Sequence, residues 1–182
     1  MASFKRRYLA RFGGPLPVFL PEAVIMAVQP LQQEYDFEGF YALIVQFQEP
    51  AVIYPGTMEL AAPTVYGAID FSEPTDTRMA WEGRFLIEKN GTLNAMRFIT
   101  KNILAVVSEE SSTIDWLNHY MTLPLAHPVL VRAGDVVQVS FQYRAGGSIP
   151  SLQAALRADV MVDMMVERAA HTGHEHSTAE FA

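Results

Sequence analysis

The chain has 182 residues, half of them apolar, no cysteine and a formal net charge of −7. The lack of cysteine excludes disulfides, thiolate nucleophiles and thiolate metal sites, so any chemistry must use oxygen and nitrogen groups. The acidic balance argues against nucleic acid as a partner, since that affinity rests on Lys and Arg neutralising phosphates, and Lys5, Arg6, Arg7 and Arg11 form too small a cluster to reverse it. No apolar run approaches the roughly 20 residues that cross a bilayer, so no membrane partner is expected. The basic start is followed by neither an apolar stretch nor a small-residue cleavage site, which makes a cytoplasmic location the expectation. A chain of this size can bury about 70% of its unfolded surface in one domain, here taken as residues 1–168.

In chain order, Ser3 to Phe12 places Phe4, Tyr8 and Phe12 at i, i+4 and i+8 with the basic residues elsewhere, which predicts an amphipathic helix over about 3–12. Its apolar edge either caps the core or closes one mouth of the fold as a lid. Apolar, β-branched and aromatic runs then recur at 23–28, 40–47, 65–69, 84–87, 93–100, 103–107, 116–123, 136–143 and 156–166. Between them stand turn signals at Pro30, Pro50, Pro55-Gly56, Pro74, Asn90-Gly91, Gly134-Asp135 and Gly146-Gly147. Many short, regularly punctuated strands predict a mainly β fold, an antiparallel β-barrel with an N-terminal helix. Asn90-Gly91 is the clearest hairpin signal, because that pair supplies the positive φ angles of a type I′ turn. From Ala169 the sequence is small and polar, with His171, His174 and His176. Imidazoles at that spacing are able to hold zinc, but a terminus without packing residues is expected to be a solvated tail over 169–182, and no metal is assigned.

Ile114-Asp115-Trp116-Leu117-Asn118, then Pro128, then Val131-Arg-Ala-Gly134-Asp135 and the alternating run Val136–Tyr143 resemble the C-terminal β-barrel of protein arginine methyltransferase-like enzymes. Tyr8 to Gly14 with Pro21-Glu22 is similar to that family's entry into the barrel, and Trp81 to Phe85, Gly91-Thr92-Leu93 and Phe98 to its central strands. The family's Thr-His-Trp loop is matched by Ile114, Asp115 and Trp116, of which only the tryptophan is kept. The resemblance implies a barrel without the cofactor-binding domain. A strand, a glycine-clustered turn and a helix that would cradle a nucleotide are missing, since Gly13-Gly14 and Gly146-Gly147 lack that context. The chain alone is therefore not expected to transfer a methyl group, and no cofactor is assigned.

Period-two alternation selects the pocket residues. Trp116, Asn118 and Tyr120 would share one face, as would Trp81, Gly83 and Phe85, and also Val139, Phe141 and Tyr143. Tyr41, Trp81, Trp116, Tyr120 and Tyr143 are the aromatics expected to turn inward, as substrate-binding groups or as plain core. Glu22, at the entrance of the apolar strand Ala23–Val28, would be desolvated and so suited to act as an acid. Asp115 beside Trp116 is the other catalytic candidate, as acid, base or loop cap; Glu82 and His119 are weaker ones. Nine methionines and many aromatics suit an adaptable apolar small-molecule substrate. The expected function is a cofactor-independent cyclase or isomerase that folds a polyketide-type intermediate, with homodimerisation a further expectation. The alternatives are a detached substrate-binding or dimerisation barrel acting with a separate SAM-binding partner, and a non-catalytic binding protein.

Overall fold

The computed structural model describes residues 2–50, 52 and 54–161. The elements are helix α1 (Ala2–Phe12), strands β1 (Ala23–Gln33), β2 (Asp36–Phe37), β3 (Phe40–Tyr41), β4 (Gln46–Gln48), β5 (Thr57–Glu59), β6 (Thr64–Asp70), β7 (Arg78–Leu86), β8 (Gly91–Val107), β9 (Ser112–Leu117), β10 (Tyr120–Val131) and β11 (Val136–Arg144), helix α2 (Ile149–Ala155) and strand β12 (Arg157–Val160). Seven strands form one antiparallel sheet in the order β4-β10-β8-β1-β5, with β6 also on β1 and β9 also on β8. A second sheet, β12-β11-β7, faces it. The fold is mainly β, and the large sheet is a half-barrel, with no ladder among the described residues joining it to the smaller sheet.

The 17-residue strand β8 is the spine of the fold. Lys101 and Asn102 give the sequence its apparent break there, yet Ala23–Leu31 of β1 pairs without interruption along Ile103–Ala95. Asn102 is buried and its side-chain amide donates to the Asn118 Oδ1 at 2.9 Å, which removes the cost of placing it inside the ladder. Three register shifts, at Met26/Ala27 of β1 against β6, Ile103/Ala105 of β8 against β9 and Pro124/Val129 of β10 against β8, bend the sheet. An extra residue on one strand increases local twist, and Pro124 supplies no N–H to a ladder, so the bends fall where pairing is interrupted. The concave face and the second sheet enclose the core: Val28, Met96, Phe98 and Leu123 meet Phe85, Val137, Val139 and Phe141.

The hairpin expected at Asn90-Gly91 does not form. β7 pairs with β11, and β8 belongs to the other sheet, so this dipeptide is a crossover between sheets. Neither residue has positive φ; Asn90 instead accepts the Ala133 amide on its side-chain oxygen at 2.9 Å. Gly91 is small for a packing reason, because a Cβ there would lie 2.7 Å from the Gln32 Oε1 and 2.8 Å from the Met58 Cε. The positive-φ pair stands at Glu38 (φ 56°) and Gly39 (φ 90°), closing the two-residue loop between β2 and β3. The run 116–123 likewise divides into the separate strands β9 and β10, and α2 occupies residues that alternation left unassigned. The His171, His174 and His176 tail lies outside the described residues.

Helix α1 is anchored by an unexpected residue. Lys5 is buried, donates through Nζ to the Glu73 carbonyl, and lies 5.3 Å over the Phe19 ring. The aromatic edge Phe4-Tyr8-Phe12 stacks on itself and on Phe19, while Phe12 stays exposed. Among the described residues, no helix is long and apolar enough to cross a membrane.

Candidate functional site

A cleft of about 470 Å³ opens where the two sheets diverge beyond the core. Met26 of β1, Phe98 of β8 and Met121 of β10 supply its apolar floor, Leu152 of α2 and Tyr143 of β11 the opposite wall, and the exposed Phe47, Asn118 and His119 its rim. Met26 faces inward because Val24, Met26 and Val28 alternate as the buried face of β1. Tyr66 enters the cleft for a different reason. Met26 pairs with Gly67 and Ala27 with Val65, so Tyr66 is the extra residue of a β-bulge, and its side chain is aimed between the sheets.

Tyr66 and Tyr143 bring their hydroxyls to 3.0 Å, and the Tyr143 hydroxyl also lies 3.6 Å from the Met26 sulfur. A thioether is only a weak acceptor. Either hydroxyl can donate to the other; where Tyr66 donates, Tyr143 is left to direct its own proton at that weak acceptor. Burial, then the bond to Tyr143, holds the Tyr66 phenol well above its ordinary pKa, so it stays a neutral donor throughout the physiological range. Rings pack around the pair: Tyr66 meets Phe141 edge-on at 5.1 Å and Phe98 at 6.1 Å. The arrangement is chemically suited to donate a hydrogen bond, in an apolar pocket, to an oxygen stronger as an acceptor than sulfur.

The residues selected from the sequence do not gather in one place. Tyr143 lines this cleft, and Trp81 belongs to the aromatic cluster behind it, 5.4 Å from Phe141 and 6.4 Å from Tyr66. Tyr120 lies on the outer face of the large sheet, with the Arg97 guanidinium 5.3 Å over its ring. Trp116 is exposed on β9, where its indole N–H donates to Asn118 at 3.2 Å. Tyr41 is exposed on the β2-β3 hairpin. Inward alternation across Trp116 and Tyr120 assumes one continuous strand, and the break after Leu117 removes that premise.

Glu22 is exposed and lines a separate groove of about 580 Å³ with Leu9, Leu16, Val18 and Val106. Its carboxylate stands in contact with water, not enclosed by the apolar strand. Asp115 accepts from Thr113 Oγ1 and pairs with Lys101 Nζ at 3.0 Å; the Thr113 bond first, then Lys101, hold its carboxyl below the usual carboxylate range. It is kept ionised, which suits a strand-anchoring acceptor and not a proton donor. Among the described residues no group of three His, Asp or Glu side chains is placed to hold a metal. Sequence reasoning missed Tyr66 and Met26. Alternation along Ala23–Val28 carries the signal for Met26; a bulge leaves none for Tyr66.

No protein-family model and no curated protein matches the sequence. Among solved structures, the fold is similar to a chain of the Trypanosoma brucei PRMT1 enzyme-prozyme heterotetrameric complex with AdoHcy, at a TM-score of 0.53 and 10% identity over 76% of this chain and 53% of that one. The chain thus spans about half the length of that protein. The resemblance to the barrel of arginine methyltransferase-like enzymes holds in the fold.

Proposed function

We propose that this half-barrel binds an apolar, carbonyl-bearing small molecule in the cleft between its sheets and turns it over without a cofactor, as a cyclase or isomerase. The Tyr66–Tyr143 pair carries this reading: two hydroxyls 3.0 Å apart, walled by Met26, Phe98 and Met121, with the outer proton resting against a sulfur. A ligand oxygen in place of that sulfur accepts from Tyr143, and Tyr66, donating to the Tyr143 oxygen, polarises the donor further. Holding a flexible chain in a reactive conformer supplies several kcal/mol of barrier lowering. The oriented hydroxyl adds charge stabilisation where a carbonyl oxygen becomes more negative.

The test is deletion of the gene in its native host, comparison of small-molecule extracts by chromatography and mass spectrometry, and incubation of the mutant extract with purified protein. The expected result is an accumulated compound that the native protein converts to one of equal mass and different retention, and that Tyr143→Phe does not convert. An extract unchanged by deletion, or conversion unaffected by Tyr143→Phe, would overturn it.

A second reading is favoured by the groove at Leu9, Leu16, Val18, Phe19 and Val106, whose apolar walls include the exposed Leu9, Val18 and Val106. An unfilled apolar surface of this kind suits a partner protein, here a separate cofactor-binding chain that the barrel would complete. In the same deletion experiment, a compound lighter by one methylene unit would favour this reading.

A further inference from the structure

The outer face of the seven-stranded sheet carries a further cavity, about 560 Å³, whose lining includes Gln29, Gln48, Thr57, Glu59, Lys89 and Arg97. The register aligns Gln29, Arg97, Thr122 and Gln46 across β1, β8, β10 and β4 as one polar rung. Arg97, Gln29 and Thr122 are buried. A sheet face turned away from the core needs no buried cation, and burying one costs free energy unless it is paired. Arg97 is only partly paired. Its Nη1 donates to Glu59 at 2.7 Å and to Gln29 Oε1 at 3.1 Å, while its buried Nε has no partner among the described residues. The guanidinium is held in place: Gln29 is fixed by its own bond to the Ala61 carbonyl at 3.0 Å, and the Tyr120 ring lies beneath the guanidinium. Lys89 adds a second cation to the wall.

The geometry points to a binding site for a small carboxylate, received on the Nε edge of Arg97. A guanidinium offers two parallel N–H donors along that side, which match the two oxygens of a planar carboxylate, and Glu59 occupies only Nη1. Glu59 is more than half exposed, so it neutralises Arg97 incompletely and leaves charge for the ligand. This site is distinct from the intersheet cleft, since the two lie on opposite faces of β1, β8 and β10 and share no lining residue.

The experiment is calorimetric titration of the full chain with acetate, succinate and benzoate, using the matched chloride salt as the control for ionic strength. At least one carboxylate is expected to bind saturably at a ratio of one per chain, and Arg97→Lys, which keeps the charge and loses the two-point edge, is expected to weaken it about tenfold or more. No saturable binding by any of the three, or equal affinity in the Arg97→Lys variant, overturns the assignment. Should that variant fail to fold by circular dichroism, Tyr120→Leu, which removes the ring beneath the guanidinium, takes its place. A several-fold loss there supports the site and an unchanged affinity overturns it.

Discussion

Tyr66 and Tyr35 are the side chains on which a pH experiment bears most directly. Burial raises both phenols above their ordinary value of 10.0, aided at Tyr66 by the bond to Tyr143 and at Tyr35 by the nearby Tyr41. In the unfolded chain they ionise near that value; in the folded chain they keep their protons beyond it. Above pH 10 the native state thus binds more protons than the unfolded one, so their contribution is complete below about pH 10 and is lost as the pH rises further. An ultraviolet titration should show Tyr66 and Tyr35 ionising only when the chain unfolds. Tyr66→Phe should remove one phenol from that late step. Release of every phenol in a single step near pH 10 would mean that the bulge does not bury Tyr66. A tyrosine brought in by an inserted residue is invisible to period-two reading, which explains why Tyr143 was legible in the sequence and its partner was not.

At the scale of the element, β7 shows both what patterning reveals and where it stops. Trp81, Gly83 and Phe85 share one face as alternation requires, and Trp81 and Phe85 lie 6.0 Å apart in the core cluster. The role of Gly83 appears only in three dimensions. A Cβ there would lie 2.2 Å from the Trp81 Cζ2, because the indole lies flat along its own strand over the glycine. Gly83→Ala must therefore lift the indole off Tyr66 and Phe141, and overpacking of this kind costs about 1–3 kcal/mol. Denaturant unfolding should show the loss, together with a shift in tryptophan emission; a variant as stable as the native chain would mean that the ring has another place to go. Pairing partners were less legible than strands. The alternating runs at β1, β6 and β11 mark true strands, but Asn90-Gly91 carries the local signature of a hairpin while its flanks pair with β11 and β1, a choice made by contacts far apart in sequence.

Across the whole molecule, one exposed apolar segment stands apart from the intersheet cleft and from the cavity at Arg97. The β2-β3 hairpin turns at Glu38-Gly39 and presents Phe40 and Tyr41, 78% and 70% exposed, with Leu43 and Ile44 behind them. Isolated two-stranded hairpins are marginal in water, and monomeric proteins seldom expose contiguous apolar patches of this kind. Aromatic residues of this type are enriched at the centres of protein interfaces, and a closed two-fold dimer is the commonest way for a chain to cover such a patch with its own copy. Self-association through this hairpin is the proposal, in which Tyr41 would be a contact between subunits. Sedimentation of the native chain should show a dimer, and the double substitution Phe40→Ser, Tyr41→Ser should give a monomer with unchanged circular dichroism, since neither side chain belongs to the core. A native chain that sediments as a monomer at all accessible concentrations would refute the dimer, and a double variant that still dimerises would place the interface elsewhere.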